Sequence, residues 1–189
     1  MICAVCCGTK REVEIDCPGS CAYLKSGREY ESERKEINSE LIARARAFNQ
    51  SFLNEYGPFL ELSSRVVAEE RLSSPWLVDA DVAEVYKALQ ATMKTLSSGI
   101  YYETMPEGNA GQSLFRKLKA FLDTLMSPGP EAQYRPLRVS EILGLLDFLL
   151  LAVSINSSGR PRSRQYLDWV AQASGMTQPP AESSRLILP

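Results

Sequence analysis

The sequence contains no histidine among its 189 residues. This absence excludes zinc sites with histidine ligands, nucleophile pairs that depend on histidine, and histidine-ligated haem. The sequence also shows no glycine-rich phosphate loop, Walker pattern, Glu-x-x-His motif or internal repeat. Any catalysis would depend on carboxylates, lysine, tyrosine, cysteine or a metal. Together these absences favour a protein without enzymatic activity.

A strong charge of one sign is also missing. The formal net charge is −2 and the sequence pI is about 5.4. Such a balance provides no global attraction to nucleic acid or to anionic membranes. The first 36 residues hold six Lys/Arg and seven Asp/Glu, whereas a nucleic-acid-binding finger normally carries a basic excess. Binding to nucleic acid would therefore need a local patch.

Long hydrophobic runs are absent as well. The longest run, residues 142–155, is shorter than the roughly 20 residues that span a bilayer, and it contains Asp147. The sequence opens with Met1-Ile2-Cys3, without the basic and apolar regions of a signal peptide. We therefore expect a cytoplasmic protein without a membrane segment. In that compartment thiols stay reduced and bind metal rather than form disulfides.

The most specific feature that is present is a cluster of five cysteines in the pattern C-x2-C-C-x9-C-x3-C. A four-thiolate zinc site needs two pairs of cysteines, each close in sequence, and Cys3/Cys6 and Cys17/Cys21 supply them. The pattern predicts a closed, structural zinc site, with Cys7 as an alternative ligand. An iron–sulfur cluster also takes four cysteines and is the alternative cofactor.

The residues between and after the cysteine pairs suggest a small module. Residues 9–16 alternate charged and apolar side chains, which predicts one short strand or hairpin. A helix is expected from Ala22 onward, so that Cys21 lies beside its first turn. This order resembles treble-clef and zinc-ribbon modules over residues 3–24, although the C-x3-C pair and the extra cysteine depart from them. The whole chain resembles members of an uncharacterised bacterial family that open with such a motif, and this resemblance implies no known activity.

After residue 36, apolar residues recur at the i+3/i+4 spacing of amphipathic helices. The sequence thus predicts a mainly α fold: a cysteine-rich metal-binding module at residues 1–36, a helical bundle at 37–174 and a loosely ordered tail at 175–189. The fifth helix is apolar nearly all round and is expected at the centre of the bundle. Its Asp147 should face a wet edge or pair with an arginine. The expected helices cover residues 37–56, ending at Gly57-Pro58, then 59–72, 81–99, 113–125, 140–155 and 163–173.

Three arginines lie close to the start of the last predicted helix: Arg160, Arg162 and Arg164. Guanidinium groups suit phosphate or carboxylate, and a helix N-terminus also favours anions. We predict an anion-binding or partner-binding site here. The alternative is a set of solvated arginines, one of which pairs with Asp147 or Asp168.

These observations support three hypotheses of function. The first is a non-enzymatic zinc-binding protein whose helical body binds a protein partner as a scaffold or regulatory domain. The second is a nucleic-acid-associated regulator that uses the zinc module and the Arg160–Arg164 loop. The third is a thiol or metal redox protein in which Cys7 reacts.

Overall fold

A computed structural model describes residues 4–34, 39–99 and 101–176 of the chain. Within these residues the chain forms eight helices and no strand, which confirms the mainly α fold. The helices are α1 (Ala4–Lys10), α2 (Ala22–Arg34), α3 (Ser39–Arg46), α4 (Gln50–Ser73), α5 (Asp79–Ser97), α6 (Asn109–Met126), α7 (Val139–Asn156) and α8 (Gln165–Ala173). Most of the predicted tail, residues 177–189, lies outside the described residues.

The core forms where the apolar stripes of the long helices meet. Helix α5 packs against α7 and α6, and α4 packs against α8 and α6. The stripe of α5 illustrates the pattern, because Val82, Val85, Leu89 and Met93 follow one another at three- or four-residue spacing and are all fully buried. Burying each such side chain contributes about 1.5–3 kcal/mol before the loss of chain entropy.

Helix α7 lies among four other helices, as its apolar composition predicts: it contacts α5, α3, α8 and α4. Asp147 is exposed and accepts a hydrogen bond from Nε2 of Gln90 at 2.5 Å, so it faces the wet edge of the helix. Among the described residues, α7 is the one helix long and apolar enough to cross a membrane, and 39% of it is buried inside the protein. The absence of a membrane segment stays a prediction.

The predicted helix end at Gly57-Pro58 is wrong, because α4 continues through it. The chain breaks earlier, where the side chain of Asn49 accepts a hydrogen bond from the backbone N–H of Phe52 at 3.0 Å and caps α4. A proline removes one helical hydrogen bond. Packing outweighs that loss, since the later turns of α4 are anchored in the core by residues such as the fully buried Val67.

The strand or hairpin predicted at residues 9–16 is not formed. Helix α1 extends to Lys10, and the backbone N–H groups of Val13, Glu14 and Ile15 all donate to the Lys10 carbonyl at 3.0–3.2 Å. Only an isolated bridge joins the two ends of this tight turn. Alternating residues become a strand when a neighbouring strand pairs with them, and here the chain turns back on itself instead.

Candidate metal and partner-binding site

Cys6 and Cys7 lie on helix α1. Cys6 is exposed and Cys7 is half-buried. Cys3, the first predicted ligand, lies outside the described residues. The described part of this pair is therefore helical rather than the tight turn that zinc modules usually place at the first two ligands.

The second cysteine pair encloses a turn that leads into helix α2. Cys17 and Cys21 are half-buried and form no disulfide. The turn is closed by a hydrogen bond from the Cys21 N–H to the Pro18 carbonyl at 2.9 Å, and the Cys21 carbonyl accepts from Lys25 at 3.1 Å. This confirms that Cys21 lies directly before the first turn of α2.

No three cysteine, aspartate or glutamate side chains of residues 4–34, 39–99 and 101–176 form a group that could hold a metal ion. Thiolates are suitable donors for structural zinc, so the chemistry of the donor set fits. The described arrangement of Cys6, Cys17 and Cys21 does not make a site by itself. Assembly of the predicted four-thiolate set therefore requires these side chains to come closer together.

The arginine loop, residues 160–164, contacts the N-terminal segment, by which we mean residues 4–34. Arg160 bonds to the carboxylate of Glu31 at 2.8 Å, and Arg164 makes a bidentate ion pair with Asp16. The backbone N–H of Arg162 donates to the Glu12 carbonyl at 2.8 Å. All three predicted arginines thus bind groups of this chain.

Arg28 of helix α2 links the N-terminal segment to helix α8. Its Nη2 donates to Glu12 at 2.6 Å and its Nη1 donates to Asp168 at 2.7 Å. Glu12 is only 2% exposed and has a φ of +56°, a left-handed conformation that non-glycine residues rarely adopt. The ion pair between Arg28 and Asp168 also shows that Asp168 binds an arginine of α2 instead of one from the arginine loop.

A second arginine of the N-terminal segment joins the same contact. Arg11 forms an ion pair with Glu31, so this carboxylate is shared by Arg11 and Arg160. The guanidinium of Arg11 lies over Gly27, where an added Cβ would be only 1.6 Å from its Nη1. Gly27 therefore provides the space that the guanidinium occupies.

A buried carboxylate holds the arginine loop at the start of α8. Oδ2 of Asp79 accepts from the hydroxyl of Ser163 at 2.7 Å and from the N–H of Tyr166 at 3.2 Å, and Oδ1 accepts from the N–H of Leu167 at 3.2 Å. These bonds satisfy N–H groups that a helix start leaves unpaired. Residues of the arginine loop are thereby fixed relative to α5.

Both sides of the contact stay charged at neutral pH. The hydrogen bond from Arg164 lowers the pKa of Asp16, although partial burial opposes this. Burial would lower the pKa of Arg28, but its bonds to Asp168 and a second carboxylate raise it overall. Burial lowers the pKa of Arg71, and the positive charge of Arg164 lowers it further. The carboxylates of Asp168, Asp16 and Asp79 oppose this lowering.

Sequence reasoning missed Glu12, Arg28 and Glu31 as members of this contact. They lie in or before a densely charged stretch that resembles a solvated helix surface, and nothing in the local pattern distinguishes the buried members. Arg135 forms a separate cluster with Glu141, at 2.5 and 2.9 Å, at the start of α7.

No family model, curated protein or solved structure matches the chain.

Proposed function

We propose that this chain is a non-enzymatic zinc-binding protein. In this proposal Cys3, Cys6, Cys17 and Cys21 hold a structural ion, and the surface around the cysteine-rich segment binds a protein partner. Thiolates are suitable ligands for zinc, and this supports the choice of metal. Four of them leave the ion no open position for catalysis, and this supports a structural role. Cys7 is the alternative ligand, and an iron–sulfur cluster is the alternative cofactor.

The observation that carries this proposal is the contact between the turn of the second cysteine pair and helix α8. A Cβ added to Gly19 would lie 3.6 Å from Oδ2 of Asp168, the carboxylate that Arg28 holds. The turn that carries Cys17 and Cys21 therefore lies beside Asp168 of the helical body.

Exposed apolar side chains support a protein partner. Three apolar side chains of the N-terminal segment are exposed to solvent: Val5, Val13 and Tyr23. Exposed apolar side chains mark protein interfaces where they form a contiguous patch, and in this proposal these three belong to one. Because they lie close in sequence to the cysteines, metal binding can control how they are presented.

Metal analysis of protein purified without added metal tests the metal site. We expect about one zinc ion per chain, as in other four-thiolate sites, and loss of the ion in the Cys17→Ser and Cys21→Ser variants. Cys7→Ser should retain zinc, and loss of the ion in this variant would assign Cys7 instead of Cys6 as the ligand. A metal-free wild-type protein contradicts the proposal. Bound iron with visible absorption would assign the cluster instead.

The partner is tested separately with native pull-downs that use the wild-type protein and the Cys17→Ser/Cys21→Ser variant as baits. A protein retained by the wild type and lost by the variant is the expected result. A chain that stays monomeric and without partners, yet turns over a substrate, would contradict the interaction role.

A further inference from the structure

The carboxylates of the N-terminal segment occupy positions that phosphate groups could also take. Asp16 receives two bonds from Arg164, and Glu31 receives bonds from Arg160 and Arg11. Guanidinium groups bind carboxylate and phosphate with the same planar, two-pronged geometry. The arginine loop is therefore a surface for oxyanions whose ligands here belong to the same chain.

The positive charge of this surface is only partly neutralised. Glu31 is a single carboxylate between two arginines. Arg162 is exposed, and its guanidinium donates to a neutral group, the backbone carbonyl of Glu14, at 3.0 Å. Arg71 also belongs to this region: burial lowers its pKa, Arg164 lowers it further, and Asp168, Asp16 and Asp79 raise it. Arg162 and the second cation at Glu31 would therefore attract an external polyanion locally, although the net charge of the chain is −2.

Two exposed tryptophans are direct sequence neighbours of residues that bind arginines. Trp76 is 65% exposed and lies between Pro75 and Leu77, whose carbonyls accept hydrogen bonds from Arg71 and Arg164 respectively. The backbone on both sides of this exposed indole is therefore bound by two arginines.

The second tryptophan, Trp169, is 46% exposed and directly follows Asp168, the partner of Arg28. Its ring packs beside that of Tyr166, with the centroids 5.9 Å apart. Exposed aromatic rings interleaved with arginines are the combination that binds single-stranded nucleic acid, because bases stack on the rings while phosphates bind the guanidinium groups.

We propose that the arginine loop, Arg71, Trp76 and Trp169 form a binding surface for single-stranded nucleic acid. Asp16 and Glu31 of the N-terminal segment compete with its phosphates. The segment therefore weakens binding while it is docked, and its displacement exposes the arginines. This inference goes beyond the proposed metal site and does not require an ion at the cysteines.

Fluorescence anisotropy with a labelled oligo-dT strand of roughly a dozen nucleotides, the size of one small binding surface, tests the proposal on the full chain at low salt. We expect the Asp16→Asn/Glu31→Gln variant to bind about tenfold more tightly than the wild type, because two competing carboxylates are neutralised. The matched control is Glu107→Gln/Glu131→Gln, which alters two exposed loop carboxylates and changes the net charge equally. An equal gain in the control, or no binding by the neutralised variant, overturns the proposal.

Two further variants, both at exposed positions, separate the contributions of charge and stacking. Arg162→Ala should lower the slope of log K against log salt by about one, as expected for one lost phosphate contact. Trp169→Ala should weaken binding about fivefold or more, the loss of one stacked base. Unchanged affinity in both variants, or equal affinity for a duplex of the same length, would contradict the assignment. Zinc content measured in parallel keeps this result distinct from that of the metal proposal.

Discussion

Arg28 and Asp168 are 140 residues apart in the sequence, and Nη1 of Arg28 lies 2.7 Å from Oδ2 of Asp168. The same guanidinium binds the buried carboxylate of Glu12 through Nη2. One side chain therefore joins the turn after the first cysteines, helix α2 and helix α8. This makes Arg28 the central residue of the contact between the N-terminal segment and the helical body.

Replacing Arg28 should be costly. Arg28→Met leaves Glu12 buried without its cationic partner, and removing one partner of a buried pair destabilises a protein by about 3–5 kcal/mol. Urea unfolding measures the loss. Arg138→Met, at a highly exposed arginine, should change the stability by less than about 0.5 kcal/mol. In Arg28→Met/Glu12→Gln part of the loss should return, and an Arg28→Met variant as stable as the control would contradict the role of Arg28.

The substitution Gly27→Ala should lower the stability of the wild type and raise that of an Arg11→Ala variant. Gly27→Ala places a methyl group where the Arg11 guanidinium lies, so it should displace Arg11 from Glu31 and destabilise the wild type. In an Arg11→Ala background the space is free, and the same change should stabilise helix α2 by about 0.5–1 kcal/mol through helix propensity. Thermal or urea unfolding of the four proteins checks this. The same sign in both backgrounds would show that Arg11 does not occupy this space.

Asp79 should be important for the placement of the arginine loop. Asp79→Ala removes the acceptor of Ser163 and of two N–H groups at the start of α8. Because these groups are buried, the loss should be about 2–4 kcal/mol. Asp81→Ala is the comparison, since it removes one bond to the Val78 N–H and should cost about 1 kcal/mol. Equal costs in the two unfolding experiments would argue against a special role for Asp79.

The lowered pKa of Glu141 leads us to expect that acid reduces the stability of the fold. Hydrogen bonding from Arg135 lowers its pKa well below the usual value, against the effect of burial. A carboxyl whose pKa is lower in the folded state stabilises the fold above its unfolded pKa and loses that contribution as the pH falls toward the folded value. Below about pH 5, the wild type should therefore lose more stability than Glu141→Gln.

Urea unfolding at a series of pH values measures this difference, with Glu131→Gln as the control at an exposed loop position. The control should follow the wild-type profile. Parallel profiles for Glu141→Gln and the wild type would contradict the pKa assignment.

The helical part of the fold follows from the sequence because amphipathic periodicity is a local property. The stripe of α5, the start of α2 after Cys21 and the central position of α7 were all predictable in this way. The stop at Gly57-Pro58 was not, since the cost of a proline inside a helix is weighed against core packing that a local pattern does not contain. The prediction of a strand at residues 9–16 was wrong for a related reason, because an alternating pattern does not specify a pairing partner.

The amino-acid sequence by itself determined that this protein is a helical bundle whose five cysteines all lie near one end, because helix periodicity and residue spacing depend on neighbours along the chain. Only the tertiary structure decided which charges meet. Asp16 and Glu31 find Arg164 and Arg160 because the start of α8 lies against the N-terminal segment. Ion pairs between residues more than a hundred positions apart depend on the packing of the whole bundle, and no local pattern records them.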